Sequence, residues 1–283
     1  MKMRTDLQSW INQAVERLQG ISETPLLECH ALTSHTLSKP REWIIAHPET
    51  ELTEEQLVLL ESQIQHLQDG TPLPYLTGIQ AFYGLDFEVN ADVLIPRPET
   101  ELLVEEAVNW LQTHPGRRNA LDMGTGSGAI AVAMADQVSD LRMMAADISP
   151  RALSIARQNA EKFRVADRIR FVQSDLFENI APGFDLIAAN LPYIPSETLK
   201  NLPVERFEPH LALDGGADGL DLIRRFMVQA PGYLRPGGLL LMEIESGQSE
   251  AVIALAHNTL AEGSIKLVKD YAGLPRLIFI QAG

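Results

Sequence analysis

The sequence predicts an α/β protein in which a mostly parallel sheet, with helices on both faces, follows a small helical region. From residue 119 onward, short apolar runs alternate with helical patterns, which is typical of parallel strands joined by helices. Residues 5–70 show only the three- and four-residue apolar spacing of helices. The last two of seven expected strands are joined too briefly for a parallel crossover, so we expect them to be antiparallel.

The composition limits the classes of function. The chain has 283 residues, a single cysteine and a formal net charge of −15 at pH 7, and the length suits one large domain or two moderate ones. Nonspecific nucleic-acid binding needs a basic face, so the charge argues against it. The lone Cys29 fits a reducing cytosol, and neither a signal peptide nor a membrane span is recognisable. We therefore expect a cytoplasmic protein, and the scattered histidines indicate no metal site.

Residues 1–74 are expected to form a helical domain. The apolar stripe of Leu7–Leu18 predicts the first helix, and Thr24-Pro25 begins the second. A short third helix follows, and Thr53 with Gln56 forms a capping-box pattern before the fourth. The domain contains no catalytic constellation, so we interpret it as a substrate-docking module, the alternative being that it only packs on the next domain.

Residues 75–95 are expected to form a β-hairpin linker, in which alternating residues flank a glycine turn and the apolar run 93–95 follows. The second domain is expected to span residues 96–283. It opens with two prolines that hold Arg97 in an extended segment, where it is a candidate contact for an anion or a carboxylate. Thr100 is expected to cap the helix that follows.

A glycine-rich loop follows the first strand of the sheet and opens a helix. It consists of Gly124, Thr125, Gly126, Ser127 and Gly128. Its glycines allow a tight turn and a close approach of a ligand, whose polar groups can meet the amides of the helix N-terminus. The next strand ends in Asp147, about 20 residues on, where a carboxylate can bind a ribose diol. These features predict a nucleoside cofactor, either a dinucleotide or S-adenosylmethionine.

The spacing of the glycines distinguishes these cofactors. Gly-x-Gly-x-Gly, with Asp122 two residues ahead, departs from the Gly-x-Gly-x-x-Gly loop that binds dinucleotides. It resembles the S-adenosylmethionine loop of class I methyltransferases, which disfavours a dehydrogenase. Asp175 and Leu176 follow the third strand and would then flank the adenine. The carboxylate would accept a hydrogen bond from the adenine amino group, and the leucine would cover one face of the ring.

The turn Asn190-Leu191-Pro192-Tyr193 ends the fourth strand, the apolar run 184–189. Ligands of open α/β sheets bind just outside the carboxyl ends of the strands, so we expect this turn to face both cofactor and substrate. The Asn190 amide oxygen and a turn carbonyl can accept both hydrogens of a primary amide or an exocyclic amino group. Tyr193 is expected to stack on the flat face of that group.

Most of the chain resembles the release-factor glutamine N5-methyltransferases, or HemK family. The resemblance rests on residues 72–78, 94–101, 122–131, 190–194, 207–209 and 218–220. It implies a class I, Rossmann-like methyltransferase domain with a seven-stranded sheet, behind an N-terminal helical bundle. It also implies S-adenosyl-L-methionine as cofactor, and as substrate the glutamine in the Gly-Gly-Gln loop of peptide-chain release factors.

The resemblance also implies roles for residues. Asn190, Pro192 and Tyr193 would be catalytic, and Leu191 and Arg97 would join them in binding the substrate. Where the family usually has Asn-Pro-Pro-Tyr, Leu191 stands for the first proline, and Asn-Leu-Pro-Tyr is similar to the motif of rRNA adenine-N6 dimethyltransferases.

The alternative functions follow from that motif. An adenine-N6 methyltransferase acting on nucleic acid would stack a flipped base on Tyr193 and would need a basic channel, against which the acidic charge argues. A protein that binds the cofactor without catalysis would not need the acceptor turn. We expect an enzyme that is monomeric and forms no stable complex with nucleic acid or membranes.

Overall fold

The computed structural model describes residues 5–259 and 263–283. It divides into two compact units, of which the first ends at Ile79 and the second begins at Gln80. The first four residues of the expected domain 1–74 lie outside the described residues. None of the described helices is long and apolar enough to cross a membrane.

The N-terminal unit is helical throughout its described residues. Its helices are α1 (Leu7–Leu18), α2 (Pro25–Leu37), α3 (Arg41–Ala46), α4 (Glu54–Gln68) and α5 (Leu73–Thr77). The capping box of α4 is confirmed, because the Thr53 hydroxyl accepts from the Gln56 N–H at 3.2 Å and the Gln56 side chain accepts from the Thr53 N–H at 2.9 Å. The apolar faces of the helices meet in a core that buries Trp10, Leu32 and Ile64.

A two-stranded hairpin follows, made of β1 (Ile79–Phe82) and β2 (Leu85–Glu88). Tyr83 and Gly84 form its turn with φ of 50° and 76°, the left-handed pair that suits the twist of a hairpin. The apolar run 93–95 is not a third strand. Val93 and Ile95 are buried in irregular backbone, and the Ile95 N–H donates to the Glu208 carboxylate, at 3.1 Å, instead of to a neighbouring strand.

The described part of the C-terminal unit contains a seven-stranded sheet. Its strands are β3 (Asn119–Met123), β4 (Arg142–Asp147), β5 (Ile169–Gln173), β6 (Phe184–Ala189), β7 (Leu234–Glu243), β8 (Ser264–Lys269) and β9 (Pro275–Gln281). Their order is β5-β4-β3-β6-β7-β9-β8, and β9 is antiparallel to both of its neighbours. The predicted antiparallel pair is therefore confirmed. The chain moves outward from β3 to β5 and returns to β6, so the topological switch point lies between β3 and β6.

Helices cover both faces of the sheet. They are α6 (Glu101–Thr113), α7 (Ala129–Gln137), α8 (Pro150–Lys162), α9 (Ser196–Leu199), α10 (His210–Leu213), α11 (Asp221–Gln229) and α12 (Ser249–Thr259). Successive side chains of a strand point to opposite faces, so in β6 Leu186 joins the core beneath α6 and α7 while Ile187 joins the core beneath α11 and α12. All six residues of β6 are buried, which explains why five of them are apolar.

Candidate active site

A cavity of about 400 Å³ opens at the carboxyl ends of β3, β4 and β6, a volume within the roughly 300–1,000 Å³ that is typical of ligand pockets. Its position matches the switch point of the sheet, between β3 and β6. The connections that follow these two strands run in opposite directions, so they leave a crevice at the strand ends. Eight of the predicted site residues line it: Gly124, Gly126, Asp147, Asp175, Leu176, Asn190, Leu191 and Pro192.

The glycine loop is held from inside the protein by Asp122. One carboxylate oxygen, Oδ2, accepts from the Thr125 hydroxyl at 2.6 Å and from the Ala131 N–H at 3.2 Å. Asp122 is fully buried, and this burial raises its pKa to about 7. The hydroxyl of Thr125 therefore points into the protein, so this side chain shapes the loop.

Ser127 and Gly128 also lie behind the cavity lining. The Ser127 carbonyl accepts from the Asn159 side-chain amide at 2.9 Å. Gly128 has φ of +82°, and a Cβ atom there would lie 3.1 Å from Ala156 of α8. These contacts set the path of the loop, and direct contacts of Thr125, Ser127 and Gly128 with a cofactor stay predictions.

Asp147 ends β4 and lines the cavity. Its two oxygens accept from the Gly126 and Ser149 N–H groups, each at 2.9 Å. Burial raises the pKa of Asp147, and the N–H bonds offset part of that effect. A carboxylate has about four acceptor sites, so acceptor capacity is left for hydroxyl groups of a ligand. The next residue, Ile148, is 44 % exposed on the cavity wall and adds an apolar surface that sequence reasoning missed.

Asp175 and Leu176 form the next part of the wall. Leu176 has φ of 46°, which is uncommon for a residue with a side chain. The Ser174 hydroxyl stabilises this turn by donating to the Leu176 carbonyl at 2.7 Å and accepting from the Asn179 N–H at 3.0 Å. Asp175 accepts from Arg225 of α11 at 2.9 Å. Arg225 also lines the cavity. The sequence did not predict this pairing, because the two residues are far apart along the chain.

The turn after β6 presents hydrogen-bond acceptors. The Asn190 side-chain nitrogen donates to the Thr100 hydroxyl at 3.1 Å, which directs Oδ1 away from Thr100. Within residues 5–259 and 263–283, no hydrogen bond reaches Asn190 Oδ1 or the carbonyl oxygens of Leu191 and Pro192. All three residues line the cavity, so they can offer acceptors to a ligand.

Thr100 does not cap α6 as predicted. Its backbone is helical, with φ of −69° and ψ of −20°, and its side chain accepts from none of the described helix N–H groups. The hydroxyl instead donates to Glu243 Oε2 at 2.6 Å. Glu243 ends β7 and is 2 % exposed, and this burial raises its pKa. Sequence reasoning missed Glu243, whose only signal is that an acid ends an apolar strand beside β6.

Two predicted substrate contacts lie outside the cavity lining. Tyr193 is half-buried against the core, and its hydroxyl donates to Glu243 Oε1 at 3.4 Å. Arg97 forms an ion pair with Glu208, which is itself buried. Stacking by Tyr193 and substrate binding by Arg97 therefore stay predictions.

The turn is also supported from behind, by Gln248 and by a second glycine-rich loop, residues 215–219. The Tyr193 carbonyl accepts from the Gln248 side chain at 2.9 Å, and the Ile194 carbonyl accepts from the Gly215 N–H at 2.8 Å. Gly219 has φ of +79°, and a Cβ atom there would collide with the Tyr193 carbonyl oxygen. This loop fixes the backbone of the turn, and its glycines are needed because side chains would not fit.

The strand order, the antiparallel β9 and the glycine loop at the switch point define a class I methyltransferase fold. Solved structures share it. The match to a methyltransferase from Pyrococcus furiosus has a TM-score of 0.51 at 20% identity and covers 71% of this chain and 90% of that one. The match to a ribosomal protein L11 methylase from Lactobacillus delbrueckii subsp. bulgaricus has a TM-score of 0.50 at 19% identity. It covers 69% of this chain and 84% of that one.

Sequence comparison gives the family. Residues 9–78 match the model of the PrmC N-terminal domain, and residues 99–207 match the methyltransferase small domain. A release factor glutamine methyltransferase from Moorella thermoacetica is 42% identical over 95% of this chain and 96% of its own length. Another, from Escherichia coli K12, is 38% identical over 87% of this chain and 88% of its own length. The chain belongs to the release factor glutamine methyltransferase family, which confirms the predicted fold class and family.

Proposed function

We propose that the protein transfers a methyl group from S-adenosyl-L-methionine to the side-chain amide nitrogen of the glutamine in the Gly-Gly-Gln loop of peptide-chain release factors. The observation that carries this proposal is the set of free acceptors at Asn190, Leu191 and Pro192, which lies on the same cavity as the glycine loop. Two acceptors suit a primary amide, whose nitrogen has two hydrogens to donate.

The cavity residues fit the cofactor. Gly124 and Gly126 have no side chains to fill the wall, and Asp147 keeps acceptor sites for the ribose hydroxyls. Asp175 and Leu176 offer an acceptor and an apolar surface for adenine. When bound, S-adenosyl-L-methionine supplies a methyl group that is electrophilic because its sulfur is positively charged.

The turn acts on the glutamine. The lone pair of an amide nitrogen is delocalised into the carbonyl group, so the nitrogen is a weak nucleophile. Asn190 Oδ1 and a turn carbonyl would bind both N–H groups, hold the nitrogen in line with the methyl group and stabilise the positive charge that develops on it. The N–CH3 bond would form as the S–CH3 bond breaks to leave a neutral thioether, and the nitrogen would then lose one of its two hydrogens as a proton to water. Such positioning can supply on the order of 7–11 kcal/mol of the barrier.

The proposal extends to the rest of the chain. Residues 1–74 would hold the release factor, 75–95 would link the domains, and 96–283 would carry out the transfer in the cytoplasm, where translation ends. The enzyme would act as a monomer without stable binding of nucleic acid. The alternative, adenine-N6 methylation, is not favoured, because the curated relatives cited above are named for glutamine methylation.

The test is incubation with isotope-labelled S-adenosyl-L-methionine and candidate release factors, followed by mass spectrometry to locate the methyl group. Asn190→Ala should lose most of the turnover, since one of the two acceptors disappears, while cofactor affinity stays nearly intact. Asn109→Ala, at an exposed position of α6, is the matched control. If Asn190→Ala methylates at the wild-type rate, the acceptor role is wrong.

A further inference from the structure

We propose that Thr100 and Glu243 are positioning residues, which hold the Asn190 amide with its oxygen toward the substrate. The inference rests on the proposed function, because it assigns a role within the same methyl transfer. The contacts form a chain from the Asn190 nitrogen to the Thr100 hydroxyl, at 3.1 Å, and from that hydroxyl to Glu243 Oε2, at 2.6 Å.

The direction of these two hydrogen bonds follows from the number of hydrogens that each group can donate. A hydroxyl group has one hydrogen to donate, and an ionised carboxylate can only accept. Thr100 gives its hydrogen to Glu243, so its oxygen can only accept from Asn190. The amide must then turn its NH2 group to Thr100 and its oxygen to the other side. The opposite amide orientation would place two lone pairs against each other and point NH2 at the substrate's own NH2.

The surroundings make this orientation strict. Thr100 is 5 % exposed and Glu243 is 2 % exposed, so water cannot readily replace either partner. Among the described residues, no lysine, arginine or histidine forms a salt bridge with Glu243, and Arg276 is instead bound to Asp270 at 2.8 Å. A buried carboxylate without a cation is unfavourable unless its hydrogen bonds are made. Tyr193 donates to the second oxygen at 3.4 Å, so both oxygens of Glu243 have a partner.

The three residues come from separate elements: Thr100 precedes α6, Asn190 follows β6 and Glu243 ends β7. Because β6 and β7 are neighbouring parallel strands, their carboxyl ends lie side by side. The chain of hydrogen bonds therefore ties the acceptor to the rigid sheet.

The experiment measures kcat, KM for a release factor and the Kd of S-adenosyl-L-methionine. Thr100→Val keeps the shape of the side chain but removes both hydrogen bonds, so the amide can turn over. We expect kcat to fall about tenfold, while KM and Kd stay within about twofold of the wild type. Thr100→Ser, which keeps the hydroxyl, should restore most of kcat. Glu243→Met, which removes both acceptor oxygens, should resemble Thr100→Val, since the Thr100 hydroxyl can then donate its hydrogen to Asn190 and turn the amide over.

A double-mutant cycle separates positioning from general stability. If Thr100 acts through Asn190, Thr100→Val should change kcat by less than about twofold in an Asn190→Ala background. Thr113→Val is the matched control, because Thr113 lies at the other end of α6 and its hydroxyl bonds carbonyls of its own helix.

Each outcome has one meaning. A wild-type enzyme that does not methylate release factors overturns the proposed function itself. With an active wild type, three results overturn the positioning role: an unchanged kcat in Thr100→Val, a fall that persists in the Asn190→Ala background, or an equal loss of cofactor affinity.

Discussion

Replacing Gly219 by alanine tests whether the loop behind the acceptor turn holds that turn in place. The new Cβ atom would lie 2.5 Å from Gln248 Nε2 and closer still to the Tyr193 carbonyl oxygen. Gly219→Ala must therefore break the hydrogen bond between Gln248 and Tyr193 or move the backbone of the turn. Either change would displace Asn190, three residues before Tyr193, and we expect kcat to fall at least about tenfold.

The effect of Gly219→Ala on stability can be judged against the same substitution at a glycine with similar backbone but open surroundings. Gly273 has φ of +82°, close to the +79° of Gly219, but no other described atom lies within 4 Å of its ideal Cβ. Both alanine variants carry the left-handed penalty of about 1–2 kcal/mol. Only Gly219→Ala adds a collision, about 1–3 kcal/mol, and a lost hydrogen bond, about 0.5–1.5 kcal/mol. We expect its free energy of unfolding to fall by about 1.5–4.5 kcal/mol more than that of Gly273→Ala.

Urea unfolding followed by circular dichroism measures the stability difference, and the methylation assay measures kcat at a temperature where both variants are folded. Equal stabilities of the two variants would show that the collision is relieved without strain. A stable Gly219→Ala variant with wild-type kcat would refute the supporting role of the loop.

Two further predictions concern the carboxylates of Asp147 and Asp122. Asp147→Ala should weaken binding of S-adenosyl-L-methionine by about 1–3 kcal/mol, because a charged hydrogen bond to the ribose is lost; calorimetric titration checks this, and an unchanged Kd would contradict the ribose contact. Burial raises the pKa of Asp122 to about 7, from about 3.9 in the unfolded chain, so its contribution to stability is complete below about pH 3.9 and is lost as the pH rises through 7. Asp122→Asn should therefore make the free energy of unfolding less dependent on pH between about 4 and about 7 in urea titrations, and a wild-type pH profile would argue against this carboxylate as the cause.

Local patterns predicted the backbone well where one residue or its near neighbours decide the structure. Thr53 and Gln56 form their capping box because both partners lie within one helical turn. Local patterns leave the pairing of the apolar run 93–95 open, because the Ile95 N–H donates to Glu208, more than a hundred residues away. An apolar run shows that a segment is buried, but it does not show that a neighbouring strand will pair with it.

The site also contains residues that local patterns predict and contacts that they do not. The glycine loop, Asp147 and the Asn190 turn could be predicted as cavity residues, because each follows a recognisable strand and parallel strands end at one edge of the sheet. The pairing of Asp175 with Arg225 could not, since it joins a strand end to a helix 50 residues away.

The sequence alone determined the strands, the glycine loop, the acceptor turn and the family, because these depend on residue types at short spacings. Only the tertiary structure decided that the Thr100 hydroxyl binds Glu243 rather than the start of α6. The reason is that a side chain chooses among all the groups that folding brings within reach. A buried carboxylate on a neighbouring strand is a stronger acceptor than any group that the local sequence offers.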